Sequence, residues 1–519
     1  MDYVGIAHHL VDGDFRGSVN AFRSPLISWL IAGLSFSSNN LLVVGKLVGL
    51  SFFATSTCLI YLLVLQLWRS RLTAAVGALW FTLGRGLLPT AVQCVTPDFL
   101  LTSVVTLYFL VLLRCLRRNR MTDWVGLGGV HGLAYLAKAI ALPWLAVATM
   151  IAVLSSDEAW KRKIVRLSAA GLIPLVIACG WGMALRAKYG HFTTGSQFKT
   201  NLLQWTIRKG LEPARKHYLL LTDMSAAEDK YMVNDPMPPG SPAWNYKPRL
   251  SEVSYGIVHA ELRNLLSAIK EVGIVVTPGG MLAAILGLWA ISRNRKQFPI
   301  EARFVLAVGV SGVCVLLAYC MLVFDSRYIF PLVPLVIAIS VPFLIRDEGN
   351  GLVLSSNLRR ASAALLISGL MFSTVYWASP FRTLKRNDQL SCLAAARELK
   401  LHRGSTLVTI GIGPFPEHGV GWEAGYTAAF FSGWRVVAAL TSLPDRAMQT
   451  NLFSDLKTIK ADAIILWGRP VDIRYVAVRD RLAEGRAATE FTIIRDPALG
   501  EVGTVLFLSS QGSPISTIQ

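Results

Sequence analysis

Three charged side chains stand at the ends of strongly apolar runs, where a charge is costly and is usually retained for function. Asp98 opens one run, Lys138 interrupts another, and Arg327, followed by Tyr328, opens a third. An ammonium and a guanidinium suit a phosphate, and a carboxylate can act as a general base. The three together predict an anionic ligand held beside a base.

Each of these residues also has a plainer interpretation. A carboxylate in the first turn of a helix is favoured by the helix dipole, which would account for Asp98. Lys138 has almost no polar neighbours in the sequence, so it needs either an anion or a path along which its stem reaches water. Spacing alone leaves both interpretations open.

A second group of candidates lies in residues 2–34, just before and within a short apolar helix. Asp2, Tyr3, Asp14 and Arg23 place acidic, phenolic and basic groups next to a membrane-compatible run that begins after Ser24. The functional interpretation is a reactive loop at the membrane surface. The alternative is a solvated amphipathic cap on a membrane bundle. In either case we predict that the short apolar helix after Ser24 lies at the interface and does not cross the membrane.

The elements that must position these residues are membrane spans. The chain is 53% hydrophobic and only 16% charged, whereas soluble domains carry about 25% charged residues. We therefore predict a polytopic α-helical membrane protein with about ten spans, of about 20 apolar residues each with some shorter ones. The predicted spans are 41–67, 72–87, 99–116, 123–138, 141–155, 166–187, 271–292, 302–324, 328–345 and 361–378.

The net charge of +19 is concentrated in the membrane part, because residues 380–519 hold 16 Lys and Arg against 13 Asp and Glu. Basic residues follow every second predicted span, which by the positive-inside rule makes those loops cytoplasmic. Both termini, the loop 188–270 and the tail 380–519 are then extracytoplasmic. This charge distribution predicts partners in the membrane and no nucleic acid.

Two long segments lie outside the predicted spans. Loop 188–270 is too long for a connector and mixes aromatic with basic residues, which fits a lid over an anionic substrate or a plain juxtamembrane loop. The tail alternates strand-like and helical runs, which predicts a small α/β domain. The predicted strands are Thr406–Ile412, Arg435–Leu440, Ala463–Trp467, Phe491–Arg495 and Thr504–Leu508; the predicted helices are Asp388–Leu399, Pro444–Lys460 and Val471–Ala483.

Metal or disulfide chemistry has little support in the sequence. The seven cysteines form no CxxC pair and the eight histidines form no HExxH motif. We expect no required cofactor, although outer carboxylates could hold a divalent cation loosely.

Four short motifs together resemble the GT-C glycosyltransferases, most closely the family 39 group with the protein O-mannosyltransferases and the lipid A aminoarabinose transferases. They occur in the family's order across residues 2–345. The motifs are Asp2-Tyr3 through Gly13-Asp14-Phe15 to Ser24-Pro25-Leu26, then Thr96-Pro97-Asp98, Tyr135-Leu-Ala-Lys138 and Arg327-Tyr328-Ile-Phe-Pro331.

This resemblance implies a GT-C-like catalytic domain over residues 1–378 and an additional outer domain over 380–519. It implies transfer of a sugar, usually with inversion, from a polyprenyl-phosphate donor to a glycan, lipid or protein acceptor outside the cytoplasm of a bacterial-type inner membrane. An outer-loop Asp would be the base, and Lys138 and Arg327 would bind the phosphate. Asp2 and Asp98 are thus the catalytic candidates; Lys138, Arg327, Tyr328, Tyr3, Asp14 and Arg23 are the substrate-binding candidates.

The sequence departs from the family pattern at its start. The family's catalytic acid usually lies several residues before the tyrosine that Tyr3 matches, behind a first transmembrane helix, whereas Asp2 adjoins Tyr3 here. Either Asp2 serves, or the acid lies upstream of a mis-assigned start together with a missing first helix, or the chain is inactive. Arg23 also stands where the family often has Trp or Tyr.

Two other functions remain open at this point. A secondary transporter of an anionic solute would also have many spans and intramembrane charges, but usually shows internal repeats, and this sequence has none that we detect. A membrane scaffold without enzymatic activity would leave Lys138 and Arg327 without a purpose.

Overall fold

The apolar runs form helices in the computed structural model. It describes residues 2–38, 40–84, 86–196, 264–293, 295–296, 298–320, 326–344 and 363–371, together with five strands in the C-terminal part. The predicted lid in loop 188–270 and the three predicted tail helices lie mostly or wholly outside these ranges. They remain predictions.

The described residues form fourteen α-helices that are numbered in chain order, and a further helical stretch covers 363–371. Short 3₁₀ segments lie at Ser35–Ser37 and Ser326–Leu332. The bounds are α1 Asp2–Val11, α2 Phe15–Ser18, α3 Leu26–Gly33, α4 Leu41–Trp68, α5 Arg71–Leu83, α6 Leu87–Gln93, α7 Asp98–Arg118, α8 Met121–Ala137, α9 Ala141–Leu154, α10 Trp160–Tyr189, α11 Asn264–Val276, α12 Pro278–Arg293, α13 Pro299–Cys320 and α14 Val333–Leu344.

Five of the described helical segments are long and apolar enough to cross a membrane. They are α4, α7, α10, Pro299–Tyr319 of α13 and the stretch Arg327–Leu344, and the bent pair α11–α12 makes a sixth if it counts as one span. Helices α5 and α9 are apolar but shorter. The predicted count of ten spans is therefore confirmed only in its coarser form, a mostly helical protein with several membrane spans.

Helix α7 lies at the centre of the bundle. Fifteen of its residues are buried, because its sequence is apolar on every face between Phe99 and Leu113. The few polar groups along it are satisfied locally: the Ser103 hydroxyl donates to the Phe52 carbonyl at 2.8 Å and lies 2.8 Å from the Ser56 hydroxyl. A fully buried helix gives its two ends well-defined surroundings.

Helices α7 and α8 form a tight antiparallel hairpin. Asn119 ends α7 in the left-handed conformation, at φ 57°, a common way for a helix to stop, and α8 begins at Met121. At about 1.5 Å per residue, the 17 residues of α8 run back along most of the length of the 21-residue α7. Lys138, immediately after α8, is therefore brought back towards Asp98.

Helix α8 also packs closely against α10 through two glycines one turn apart. A Cβ atom added at Gly128 would lie 2.8 Å from the Ala170 carbonyl oxygen, and one at Gly132 would lie 2.3 Å from a methyl carbon of Ile177. Small residues at this spacing let helix backbones approach closely in membranes. The contact anchors the helix that carries Lys138.

A sharp bend of 101° separates α11 from α12. Thr277, at the bend, has φ 70°, which is strained for a β-branched residue. Its hydroxyl accepts a hydrogen bond from the Gly280 backbone N–H at 3.3 Å, so it caps the start of α12. Gly280 in turn lies against the Trp80 ring, where a Cβ would be 2.2 Å away.

The five strands of the C-terminal part form one mixed sheet in the order β2-β1-β3-β5-β4. The strands are β1 Thr406–Gly411, β2 Arg435–Leu440, β3 Ala463–Trp467, β4 Phe491–Asp496 and β5 Gly500–Phe507. β1 pairs in parallel with β2 and β3, whereas β5 pairs antiparallel with β3 and β4. Parallel pairs need crossover connections, which fits the predicted α/β domain, although the connecting segments lie outside the described residues.

The chain divides into two compact units. One comprises residues 1–9, 207–244 and 379–519, and the other comprises residues 10–206 and 245–378. The second unit contains the helical bundle and all of the side-chain contacts discussed below.

Candidate functional site

Lys138 is buried at the end of α8. Its backbone is extended, at φ −160° and ψ 124°, and its N–H closes the helix on the Ala134 carbonyl. The residue is only 7% exposed, so its ammonium does not reach water along the surface. The snorkelling interpretation is therefore wrong, and a partner anion is required.

That anion is Asp98. Its Oδ1 lies 3.1 Å from the Lys138 Nζ, and Asp98 is itself 3% exposed. As the first residue of α7 it also benefits from the positive end of the helix dipole. The carboxylate thus serves the helix end, as the plainer interpretation expects, and also pairs with the lysine. Its role as a base remains a prediction.

Two stacked tyrosines cover the lysine. The Lys138 Nζ lies 4.2 Å from the ring centroid of Tyr328 and 5.4 Å from that of Tyr319. The two rings are 4.5 Å apart, with their planes inclined by 22°. An ammonium facing aromatic rings gains a cation–π contact, which is strongest when water is excluded.

Tyr319 is a residue that the sequence reasoning missed. It lies near the C-terminal end of α13, just where the apolar run ends. Tyrosine at the end of a span is typical of membrane interfaces, so its type and position gave a general signal. Only the packing shows that it belongs with Lys138.

Arg327 adjoins this cluster in the chain. It lies in the 3₁₀ segment Ser326–Leu332, next to Tyr328, and is half-buried. Its neighbour Phe330 is buried against Phe99, with ring centroids 5.4 Å apart, so the segment packs on the first turn of α7. Of the predicted site residues, the structure therefore brings together Asp98, Lys138 and Tyr328, with Arg327 on the same segment.

Asp14 and Arg23 lie in the segment that precedes α3. Asp14 is exposed and caps α2, accepting a hydrogen bond from the Gly17 N–H at 2.8 Å. Arg23 is half-buried, with its guanidinium 4.5 Å from the Phe22 ring centroid. The Asn20 side chain accepts hydrogen bonds from the Phe22 and Arg23 backbone N–H groups, which fixes this turn.

The same segment is tied to the end of α10. Lys188 donates to the carbonyls of Gly17 and Val19, and the Tyr189 hydroxyl accepts from the Ala21 N–H at 3.2 Å. The loop before α3 is therefore held in place by the helix whose partner, α8, positions Lys138. Asp2 and Tyr3 begin α1 within the other compact unit, where both are partly buried.

The opposite end of the bundle carries a different set of ionic contacts. Arg114 pairs with Asp123 at 2.8 Å, and Arg117 pairs with Glu301 at 2.8 Å while it also donates to the Gln66 carbonyl. These residues lie at or near the ends of α4 and α7 and the starts of α8 and α13. Among the described residues, these ionic pairs lie towards the end of α7 that is opposite to Asp98. Which end faces the cytoplasm remains a prediction.

Chemically, the cluster around Lys138 can bind one anionic group in a place that excludes water. A buried ammonium can stabilise negative charge that develops on a leaving phosphate, and a carboxylate lies 3.1 Å from the ammonium. Among the described residues, no three His, Cys, Asp or Glu side chains are grouped as metal ligands.

Comparison with known proteins gives one match to a family model. The model of the dolichyl-phosphate-mannose-protein mannosyltransferases matches residues 23–181, a range that includes Asp98 and Lys138. No curated protein matches the whole chain by sequence.

Solved structures match the chain over nearly its full length. ArnT from Cupriavidus metallidurans, bound to undecaprenyl phosphate, has a TM-score of 0.53 at 13% identity, with 99% of this chain and 94% of that chain covered. The oligosaccharyltransferase of Archaeoglobus fulgidus with a tethered acceptor peptide has a TM-score of 0.52 at 11% identity, covering 98% of this chain and 70% of that one. AglB from the same organism, in complex with an inhibitory peptide and a dolichol-phosphate, has a TM-score of 0.51 at 13% identity, covering 99% and 70%. At such identities the likeness shows the fold alone. Together with the family-model match over residues 23–181, it agrees with the resemblance to GT-C proteins that the motifs indicated.

Proposed function

We propose that this chain, which has the fold of GT-C membrane glycosyltransferases, transfers a sugar from a polyprenyl-phosphate donor. The match of residues 23–181 to the family model of the dolichyl-phosphate-mannose-protein mannosyltransferases supports the proposal. The acceptor is a hydroxyl group of a glycan, lipid or protein. We place the reaction at the extracytoplasmic face of a bacterial-type inner membrane, because the basic residues gather at the other end of the bundle.

The single observation that carries this proposal is the buried Lys138–Asp98 pair beneath the Tyr319–Tyr328 stack. A buried ion pair contributes little net stability, since desolvation offsets most of the attraction. A packed apolar pair would hold the helices together as well. A site for the phosphate of a lipid carrier gives the charge a purpose.

The proposed transfer is a displacement at the anomeric carbon. The acceptor oxygen forms a bond to that carbon while the bond from carbon to the phosphate oxygen breaks, which leaves the polyprenyl phosphate with one more negative charge. Lys138 and Arg327 stabilise that charge as it builds. The proton of the acceptor hydroxyl passes to a carboxylate base.

Two carboxylates are proposed for the acceptor side of the reaction. Asp2 is the candidate base, on the resemblance of residues 2–26 to the first outer loop of GT-C enzymes. Asp98 orients the Lys138 ammonium, 3.1 Å away, and is a second polar group near the reacting centre. Tyr3, Tyr328, Asp14 and Arg23 complete the proposed substrate contacts.

Lys138→Ala is the direct test, assayed as sugar transfer from a radiolabelled polyprenyl-phosphate sugar by purified protein. We expect transfer to fall at least about 100-fold, the loss typical of a group that stabilises transition-state charge. Lys163→Ala is the matched control, because Lys163 lies at the other end of the bundle and donates to the Leu154 carbonyl at 3.0 Å. Uptake of a labelled anionic solute into proteoliposomes, without any sugar transfer, would instead show the transporter.

We further propose that no metal ion is obligatory. Transfer measured after exhaustive treatment with EDTA should match that of untreated protein. Restoration of lost activity by Mg²⁺ or Mn²⁺ would show instead that outer carboxylates hold a cation.

A further inference from the structure

The end of the bundle opposite to Asp98 carries an excess of positive charge. Residues 114–123 and 157–166 hold eight Arg and Lys against three Asp and Glu. Half of these cations are satisfied inside the bundle: Arg114 by Asp123, Arg117 by Glu301, Arg166 by Glu158 and Lys163 by the Leu154 carbonyl. The partners of the other half are therefore the question.

The other four cations are Arg118, Arg120, Lys161 and Arg162. All four are exposed, and among the described residues none of their side chains makes a hydrogen bond or an ion pair. Arg118 and Arg120 flank Asn119 in the turn from α7 to α8, and the two others lie in the first turn of α10.

The two segments that carry these cations lie side by side. Helices α8 and α10 run in the same direction, because Gly128 lies against Ala170 and Gly132, one turn later, against Ile177. At the level of the cations, the Asn119 side chain donates to Glu158 at 3.0 Å. Four cations from two distant segments thus border one surface.

Arg162 is the cation whose place is best defined. It lies close enough to Glu158 to help lower the pKa of that carboxyl, although Arg166 has the larger effect. The first turn of α10 contains no acidic residue, so Lys161 and Arg162 stand at the positive end of the helix dipole, which is unfavourable for a cation. A bound anion would offset this cost.

Apolar side chains are exposed directly beside the cations. Trp160, at the start of α10, is 62% exposed, and Met121, Val125 and Ile164 are exposed as well. Tryptophan is typical of the level at which lipid headgroups lie. A rim of cations next to exposed apolar side chains matches an amphiphile with a negatively charged head.

Basic residues at helix ends can also serve only to orient a membrane chain. Arg69 and Arg71, at the junction of α4 and α5 and also exposed, are such a case. They lie at the same end of the bundle, since Arg117 reaches the Gln66 carbonyl near the end of α4. That junction brings together two cations from one turn, whereas the contact of α8 with α10 brings together four.

We propose that Arg118, Arg120, Lys161 and Arg162 bind the headgroup of an anionic phospholipid. The phosphate lies among the four cations, and the acyl chains lie along the exposed apolar residues of α8 and α10. Clusters of basic residues next to membrane helices bind anionic headgroups in this way. The bound lipid links the turn before α8 to the start of α10, and this role does not depend on the proposed sugar transfer.

Native mass spectrometry of the full chain in detergent tests the proposal, with dioleoylphosphatidylglycerol as the probe and dioleoylphosphatidylcholine as its uncharged counterpart. The dissociation constant of the first bound lipid should be at least about ten-fold lower for phosphatidylglycerol, since each cation near an anionic headgroup contributes about five-fold. Arg118→Gln with Arg120→Gln, and separately Lys161→Gln with Arg162→Gln, should each weaken its binding more than about ten-fold.

Arg69→Gln with Arg71→Gln is the matched control, because it removes the same number of exposed cations from the same end of the bundle. Its affinity for phosphatidylglycerol should stay within about two-fold of wild type, since those residues lie at another junction. All three double variants should unfold at the wild-type temperature without lipid, because the substituted side chains make no contacts that the fold requires.

Four outcomes would overturn the proposal. Equal affinities for the two lipids would show that charge does not select the occupant, and an equal loss in the control would show diffuse attraction rather than a site. Loss from only one of the two test variants would show that the segments do not act together. Displacement of the lipid by inorganic phosphate at low millimolar concentration would show a site for a soluble anion instead.

Discussion

The two ends of helix α7 hold ionic pairs of opposite character. At its start, Asp98 and Lys138 are both nearly inaccessible to water and lie against stacked tyrosines. Towards its end, Arg114 and Arg117 pair with Asp123 and Glu301 in places where the arginine side chains are 49% and 23% exposed. The helix that joins them is about 31 Å long at 1.5 Å per residue.

This difference indicates that the buried pair serves ligand binding, whereas the partly exposed pairs serve the assembly of the helices. The partly exposed pairs bridge helix termini. Arg117 also donates to a carbonyl at the end of α4, which any well-placed cation near a helix C-terminus can do. The buried pair carries a desolvation cost that the fold alone does not require. Variants at the two ends should therefore differ in which property they lose.

The largest effect is expected at the buried end. Lys138→Met should abolish transfer and lower the free energy of unfolding by about 3–5 kcal/mol, because Asp98 is left as an unpaired buried charge. The double variant Asp98→Asn with Lys138→Met should recover most of that stability without recovering transfer. Thermal unfolding in detergent, measured beside activity, checks both. If the double variant regained activity, the pair would be purely structural.

A substitution in the middle of the bundle, at the contact between α8 and α10, should have a smaller effect on both stability and transfer. Gly128→Val would force a side chain against the Ala170 carbonyl and separate α8 from α10, which should cost roughly 1–3 kcal/mol. Transfer should also fall, because α8 positions Lys138. At the neighbouring Gly129 an added Cβ meets nothing within 4 Å, so Gly129→Val should be close to neutral in the same unfolding and transfer assays.

At the exposed end, Arg117→Gln should lower the free energy of unfolding by about 1 kcal/mol, while transfer stays within about two-fold of wild type. A double-mutant cycle with Glu301→Gln would isolate the pair's coupling. A large loss of transfer in Arg117→Gln with normal stability would show that this end also takes part in the reaction, and the contrast between the ends would fail.

The smallest effect concerns pH. Glu158 pairs with Arg166 and accepts a hydrogen bond from Asn119 at 3.0 Å. Desolvation acts to raise the pKa of Glu158, but the attraction of Arg166 outweighs it and the pKa is lowered. The pair thus stabilises the fold above the ordinary glutamate pKa of about 4.3, and this contribution is lost as the pH falls through the lower, folded-state value.

The difference in thermal midpoint between wild type and Glu158→Gln should be constant near neutral pH and shrink below about pH 4. A constant difference down to pH 3 would exclude the pair as its source.

Much of the local structure followed from the sequence. The strand predictions at Arg435–Leu440 and Ala463–Trp467 match the structure residue for residue, because runs of β-branched and apolar residues are a local signal. The fifth strand begins at Gly500 rather than at the predicted Thr504. Its first residues, with two glycines, have little strand propensity, and pairing with β4 extends the strand across them.

The candidate site was predictable in part for a geometric reason. The two-residue connection between α7 and α8 makes an antiparallel hairpin, so Asp98 and Lys138 must return to similar levels. Tyr319 could not be found in this way, since it arrives on a helix almost two hundred residues later.

By itself the sequence determined which side chains end the apolar runs and that basic residues collect in alternate loops, because hydropathy and charge are read along the chain. Tertiary structure alone decided that Asp98 neutralises Lys138 at 3.1 Å and that two tyrosines cover the ammonium. These facts depend on distances between segments that are far apart in the chain, and such distances exist only once the helices have packed.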